Sequence, residues 1–314
     1  MLTVHSCQYA RGHCVKIHLA KFNGHKSFES IGRYRALIRL SLCARLYRSG
    51  KLQQLKHRMT PLCGNGVKVM TSNFQSVLTI ERDLLTSSVA SGNELLKHLF
   101  TAPSVRDLLL PELKLATLNT NQVLYEQGDP VDTVYFPLDS VVSGLAIMED
   151  GTTIETSMVG RESIVGVSSV LGTANSRQWN WVLISGTALT LESRTLEQLF
   201  LQNEAALRAF LICYRLLVTQ ISQRCVCNTR HTILERLCCW LLMIHDRVGG
   251  DNLKLTQEII ASRVGARRAG ITVAAGMLQD MHAIEYRRGH LHIRNRGTLE
   301  RAACECYRIM QFKT

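Results

Sequence analysis

Only five prolines interrupt this chain of 314 residues, so few segments are barred from regular structure. No run of eighteen or more consecutive apolar residues occurs, and the densest stretch, around Leu237 to Ile244, is too short and too interrupted to span a bilayer. There is no nucleophile elbow, phosphate loop, HExxH helix or paired CxxC, which removes the commonest local signatures of several enzyme classes. Acidic residues are nearly missing from one region, since residues 1–70 hold 13 Lys and Arg against the single acid Glu29.

With 46% hydrophobic residues, the chain is long enough for two domains and a connector. Its formal charge of +12 is carried entirely by residues 1–70, and the other 244 residues balance to zero. Within that balance residues 71–253 carry −6 and Lys254 to Arg301 carry +5, so an acidic body is joined to a basic C-terminal module. This local asymmetry, unlike the bulk pI, points to a polyanionic partner for the C-terminal module. The eleven cysteines are odd in number and include an adjacent pair, Cys238 and Cys239, inside a helical pattern. Reduced thiols in a soluble cytoplasmic protein are expected from this, not a secreted disulfide framework. Residues 1–70 are basic, hold five of the eleven histidines and show no sustained period. They are expected to be a disordered extension or an upstream stretch included in the reading frame, with Met70 a natural start.

From Asn93 the pattern becomes regular. NELLKHLF and SVRDLLLPEL read as short helices. QVLYEQGD, TVYFPLDSVVSGLAIMEDGTTIETSMVG, SIVGVSSVLG and WNWVLISGTALTLES then read as short β-runs punctuated by turns. That is the rhythm of an antiparallel β-barrel or jelly roll spanning residues 93–200. A long helix over 203–228 repeats apolar residues at alternating spacings of three and four: Leu207, Phe210 or Leu211, Tyr214, Leu217 or Val218, and Ile221. This predicts a coiled-coil-like dimer seam. A further helix, Thr232 to Arg247, should stop at Gly249-Gly250.

Residues 231–300 have the layout of a winged helix-turn-helix. Thr256 is a candidate N-cap for a helix ending at Gly265. A second helix, from about Arg267 to Asp280, has Ile271, Ala274, Ala275 and Leu278 on its inward face. Arg268, Ala269, Thr272, Val273 and Gly276 lie on its outward face. IEY and LHI around Arg287, Arg288 and Gly289 form the wing hairpin. Arg268 at the start of the second helix suits the guanine edge in a major groove, with Arg267 and Thr272 beside it. Thr256, Arg287 and Arg288 suit phosphates. A final helix is expected from Thr298 to Met310, with residues 301–314 as the C-terminal helical segment. The expected fold is thus α+β: an antiparallel jelly-roll sensor barrel, a long dimerisation helix and a C-terminal winged helix-turn-helix.

In this order of parts, and in LTQEIIASRVG followed by ARRAGITVAAGMLQD, the chain resembles the Crp/Fnr family of bacterial transcription regulators over about Asn93 to Ile293. The resemblance implies a homodimer on a palindromic duplex, with RNA polymerase as a further partner. It places Arg268 on the family's main base-reading arginine and Thr256 on a backbone contact. Ala269 departs from the family's glutamate, and Val273 from the arginine of cyclic-AMP-binding members, so the target sequence should differ. GDPVDTVYFPLDSVVS and MVGRESIVGVSSVLG resemble the family's cyclic-nucleotide-binding barrel. Where nucleotide-binding members read Gly-Glu-Leu, this chain reads Gly166-Val167-Ser168. Arg177 falls near the phosphate position, but Gln178 replaces the small hydroxyl residue. Arg161 and Glu162 form a substitute candidate pair. Cyclic AMP is not expected to bind.

No cofactor or metal is expected. Cys7, Cys14, Cys43 and Cys63 are too widely spaced for an iron–sulfur cluster. Cys225/Cys227 and Cys304/Cys306 both read as helical, where i and i+2 point about 200° apart and cannot easily share one ion. No catalytic residues are assigned. Two competing readings remain at this level: a signalling adaptor that binds a ligand and a protein partner without DNA, and an enzyme built on Cys239 with His231 or His245.

Overall fold

The computed structural model describes residues 2–9, 12–19, 90, 92–172 and 175–311. The chain divides into two units, Met1–Met70 and Thr71–Thr314. In the first, β1 (Leu2–Tyr9) and β2 (Gly12–Leu19) pair antiparallel, with Cys7 opposite Cys14. The expectation of an aperiodic extension is corrected for this stretch, because LTVH and VKIHL alternate at the period of two that paired strands require. The rest of that expectation falls outside the described residues.

From Glu94 the second unit contains two short helices, α1 (Glu94–Leu99) and α2 (Pro103–Leu109), burying Leu95, Leu96, Leu99, Val105 and Leu109. Asn93 fixes the first of them. Its side-chain oxygen accepts from Leu96 N (3.2 Å), and its amide donates to the Ser163 and Pro137 carbonyls (2.9 and 3.0 Å). Seven strands follow: β3 (Lys114–Leu118), β4 (Val123–Tyr125), β5 (Thr133–Pro137), β6 (Val141–Ile147), β7 (Thr153–Val159), β8 (Trp179–Ile184) and β9 (Gly186–Glu192). They form two antiparallel sheets, ordered β3-β9-β5 and β4-β8-β6-β7. This is the expected jelly-roll architecture, with Leu118, Val142, Val159, Val182 and Ala188 in one apolar cluster.

SIVGVSSVLG is not a full strand. Val165 makes a single bridge to Tyr135, and Gly166 then adopts φ +97° to start α3 (Val167–Val170). A positive φ at that point ends extended pairing. Elements that went unforeseen include β3 and α4 (Ser193–Gln202), which buries Leu196, Leu199 and Phe200.

Helix α5 (Glu204–Arg230) starts at Asn203, whose side chain accepts from Ala206 N (2.9 Å). Among the described residues it alone is long and apolar enough, by length and composition, to cross a membrane. One stripe, including Ala206, Phe210, Cys213, Arg224 and Cys227, is buried in the unit itself. The stripe beside it is exposed at Leu211 (46%), Val218 (43%) and Ile221 (36%). Leu207 and Tyr214 are half-buried against the α1–α2 cluster. The open pairs in the sequence are thereby resolved: Phe210 faces the fold and Leu211 faces out. Leu217 is a correction, because it packs against the barrel cluster while Val218 takes the outward position.

After α6 (Ile233–Val248) come β10 (Asn252–Lys254), α7 (Gln257–Val264), α8 (Arg268–Asp280), β11 (Ile284–Arg287) and β12 (His290–Ile293). A full Thr232/Glu235 capping box opens α6, and Gly249 at φ +67° closes it. The apolar core of this module includes Val141, Met158 and Leu183 from the sheet, so the module is docked on the barrel. The single C-terminal helix expected over Thr298–Met310 is in fact two, α9 (Arg296–Ala302) and α10 (Cys306–Met310). Extended backbone at Ala303 (φ −78°, ψ 150°) breaks it.

Candidate nucleic-acid interface

Thr256 caps α7 as expected, its Oγ1 accepting from Ile259 N (3.2 Å). Gly265 at φ +67° ends the helix. Arg236, reaching from α6, donates to the Gly265 carbonyl (3.0 Å) and to the Val264 carbonyl, placing a cation at the helix C-terminus and fixing the turn. Burial lowers the pKa of that guanidinium.

Ile271, Ala274, Ala275 and Leu278 form the buried face of α8, as their spacing predicts. Gly270 lets α8 close on α6, since a Cβ there would meet Ile233 Cδ1 at 2.6 Å. Arg268, Ala269, Thr272 and Val273 are exposed on the opposite face, and Arg267 stands at the N-cap. Thr272 Oγ1 lies 3.0 Å from Gln257 Oε1, tying the outer edges of α7 and α8 together.

The wing is a hairpin whose two-residue turn, Arg288 (φ +51°) and Gly289 (φ +79°), has the paired positive φ angles of a type I′ turn. Strand β10 joins it in the order β10-β12-β11, and Tyr286 Oη donates to the Leu255 carbonyl (2.9 Å). Two arginines near the wing are neutralised. Arg294 pairs with Glu285, which lowers that carboxyl's pKa, and Arg296 pairs with Asp246 (2.7 Å) and Glu300 (2.8 Å). Among the described residues no carboxylate lies in ion-pair range of Arg267, Arg268, Arg287 or Arg288. Exposed cations at the start of α8 and at the wing tip are therefore left without an ion pair, which is the charge pattern a duplex requires.

The three effector-pocket candidates are not brought together. Arg161 and Arg177 are exposed, whereas Glu162 is buried and held by Arg247 of α6 through Nε (2.8 Å) and Nη2 (2.7 Å). Gly160 makes room for this, because a Cβ there would strike the Arg247 side chain at 2.7 Å. Glu162 therefore joins the barrel to the DNA-binding module. Val167 packs against the α1–α2 cluster, and Gln178 is engaged by Thr156 Oγ1 (2.8 Å) and Ser157 Oγ (3.1 Å).

A second buried hub was missed in the sequence. Glu155 on β7 accepts from Ser143 Oγ (2.5 Å) and Trp240 Nε1 (2.9 Å), and it pairs with Arg224 of α5. Arg224 Nη2 in turn donates to the carbonyl of Arg263 on α7 (2.7 Å), and Arg263 lies over the Trp181 ring at 5.8 Å. The available signal was an acid at an inward position of an alternating strand, since Glu155 and Ser157 are both buried. Its partners Arg224 and Trp240 are 69 and 85 residues away in sequence, which no local pattern reveals.

These features define a DNA-binding regulator in which a jelly-roll domain is packed onto a winged helix-turn-helix. Residues 115–203 match the family model of the cyclic nucleotide-binding domain, and residues 235–302 match that of the Crp-like helix-turn-helix domain. The chain is accordingly a transcription regulator of the Crp/Fnr family. It is 26% identical over 200 residues to the global nitrogen regulator of Nostoc sp., covering 59% of this chain and 87% of that protein. FixK2 from Bradyrhizobium japonicum shares the fold at TM-score 0.53 and 16% identity, covering 61% of this chain and 98% of that one. A Crp-family transcriptional regulator from Thermus thermophilus does so at TM-score 0.52 and 15% identity, over 60% of this chain and 96% of that one.

Proposed function

We propose that the protein is a cytoplasmic homodimer that reads a palindromic duplex through Arg268 and contacts RNA polymerase, acting by binding and not by catalysis. The observation that carries this reading is the set of exposed arginines without ion pairs at the start of α8 and at the wing tip. Dimerisation through α5 is supported by Leu211, Val218 and Ile221, which recur at spacings of seven and three on its open face. Arg268 takes the guanine edge, with Arg267 and Thr272 beside it. Thr256, Arg287 and Arg288 hold the backbone.

Signal reception is assigned to the barrel, with Glu155 and Glu162 as the two charged posts through which it holds the module. Cyclic AMP is not the signal in this reading. The position of its ribose-binding acid is the packed Val167, and Gln178 is committed to Thr156 and Ser157. The test is selection of bound duplexes from a random pool by the full chain. Enrichment of an inverted repeat with half-sites one helical turn apart, about 34 Å, is expected. Recovery of unrelated sequences with no shared half-site would overturn the sequence-specific reading.

A further inference from the structure

We propose that Cys227, His231, Cys304 and Cys306 form a tetrahedral zinc site that ties the C-terminal tail to the hinge between α5 and α6. The four candidate ligand atoms, three Sγ and one imidazole nitrogen, all lie within 4.8 Å of one another. Cys227 Sγ is 3.5 Å from Cys304 Sγ, and Cys306 Sγ is 3.4 Å from His231 Nδ1. Zinc–sulfur bonds of about 2.3 Å arranged tetrahedrally put the sulfurs about 3.8 Å apart, so little movement is needed to close the site. Three thiolates and one imidazole are a structural zinc donor set that leaves no position open for catalysis.

The expectation that Cys304 and Cys306 point apart rested on both lying in one helix, whereas the chain leaves α9 at Ala302 and does not re-enter a helix until Cys306. Cys304 lies in the break, which lets both thiols of the CxC turn to the same point. On the other side Cys227 and His231 are four residues apart at the end of α5, where i and i+4 share a face. Cys225, on the same helix, is exposed and outside the cluster.

The surroundings suit a metal as well. His231 Nε2 faces Glu305 Oε2 at 3.4 Å, the carboxylate contact that orients a ligating imidazole and leaves Nδ1 for the ion. Gln223 Nε2 donates to Cys306 Sγ (3.1 Å). Cys239 lines the same small cavity as Cys227 and Arg236. Arg236 stands close enough for its charge to interact with Cys227, offsetting the negative charge of three thiolates. The site would join a dimer-helix end, a hinge residue and two tail residues, and so set the angle at which the winged module leaves α5.

The test uses the full chain, purified under reducing conditions, stripped with a chelator and titrated with Zn²⁺ alone and with Co²⁺ alone. One ion per chain is expected, with the thiolate-to-metal and tetrahedral ligand-field absorption of a sulfur-rich cobalt site. Cys304→Ser and Cys306→Ser should each weaken Zn²⁺ binding by roughly tenfold or more. Cys225→Ser should bind as the parent does, and His231→Asn should shift the cobalt bands. If a serine variant fails to fold, the cobalt spectrum of the parent protein still decides. Lack of stoichiometric zinc, an octahedral cobalt spectrum, iron–sulfide absorption in its place, or equal loss from Cys225→Ser would each overturn the proposal. Metal binding is read without DNA, so failure of the DNA-binding reading leaves this result standing.

Discussion

Arg268 and the wing arginines are all exposed cations outside any ion pair among the described residues, yet they should behave differently on DNA. Arg268 projects from the first turn of α8, where a guanidinium can fork onto one base. Arg268→Ala should therefore cost about 1–3 kcal/mol on the cognate half-site and relax the choice at one base pair. Arg287→Ala or Arg288→Ala should weaken cognate and scrambled duplexes nearly equally and flatten the salt dependence. Titrations on both duplexes at several salt concentrations separate the two. Equal losses from Arg268→Ala on both duplexes would make it a phosphate contact. Thr256 has a second role at this scale, because its hydroxyl caps α7. Thr256→Ala should lower stability by about 1 kcal/mol in denaturant melts, apart from any effect on DNA.

At the scale of elements, α5 presents two faces to two different partners. Its Phe210–Cys213–Arg224 stripe is filled by its own unit, whereas Leu211, Val218 and Ile221 look outward. Val218→Glu or Ile221→Glu should leave the fold intact and yield monomers in sedimentation, since each places a charge in an apolar seam. Leu217→Glu should instead destabilise the monomer, because Leu217 lies against the barrel cluster. Dimers that survive both outward substitutions would place the interface elsewhere. The α7–turn–α8 unit depends likewise on a part outside itself, since Arg236 of α6 holds the carbonyls at the turn.

For the whole molecule, the barrel, α5 and the winged module meet at Glu155, with Glu162–Arg247 as a second tie. Glu155→Gln removes the charge while keeping the shape, leaving Arg224 and Arg263 buried without their counter-ion. A loss of about 3–5 kcal/mol is expected, read as a lowered melting temperature. Hydrogen exchange should rise in α6 and α7 ahead of the barrel strands. A uniform rise would mean that Glu155 stabilises the unit as a whole without coupling its parts. Calorimetry with cyclic AMP should show no binding, and Val167→Glu alone should not restore it, because Gln178 stays committed to its own hydrogen bonds.

The sequence by itself determined most of the elements and, in the winged module, which face of each is buried. The Thr256 cap, the Gly265 turn, the Ile271–Leu278 face of α8 and the wing hairpin all follow from local rules: period, capping and φ preference. The jelly-roll rhythm and the long apolar helix were legible for the same reason. Only the tertiary structure decided what those elements meet. It chose Leu211 and Val218 over Phe210 and Leu217 for the open face of α5, and it took Glu162 out of an effector pocket and gave it to Arg247. It also gathered Cys227, His231, Cys304 and Cys306 from segments more than 70 residues apart. Periodicity reports how a side chain is oriented on its own element. Which distant side chain it then touches is set by how the elements pack, and no local pattern encodes that.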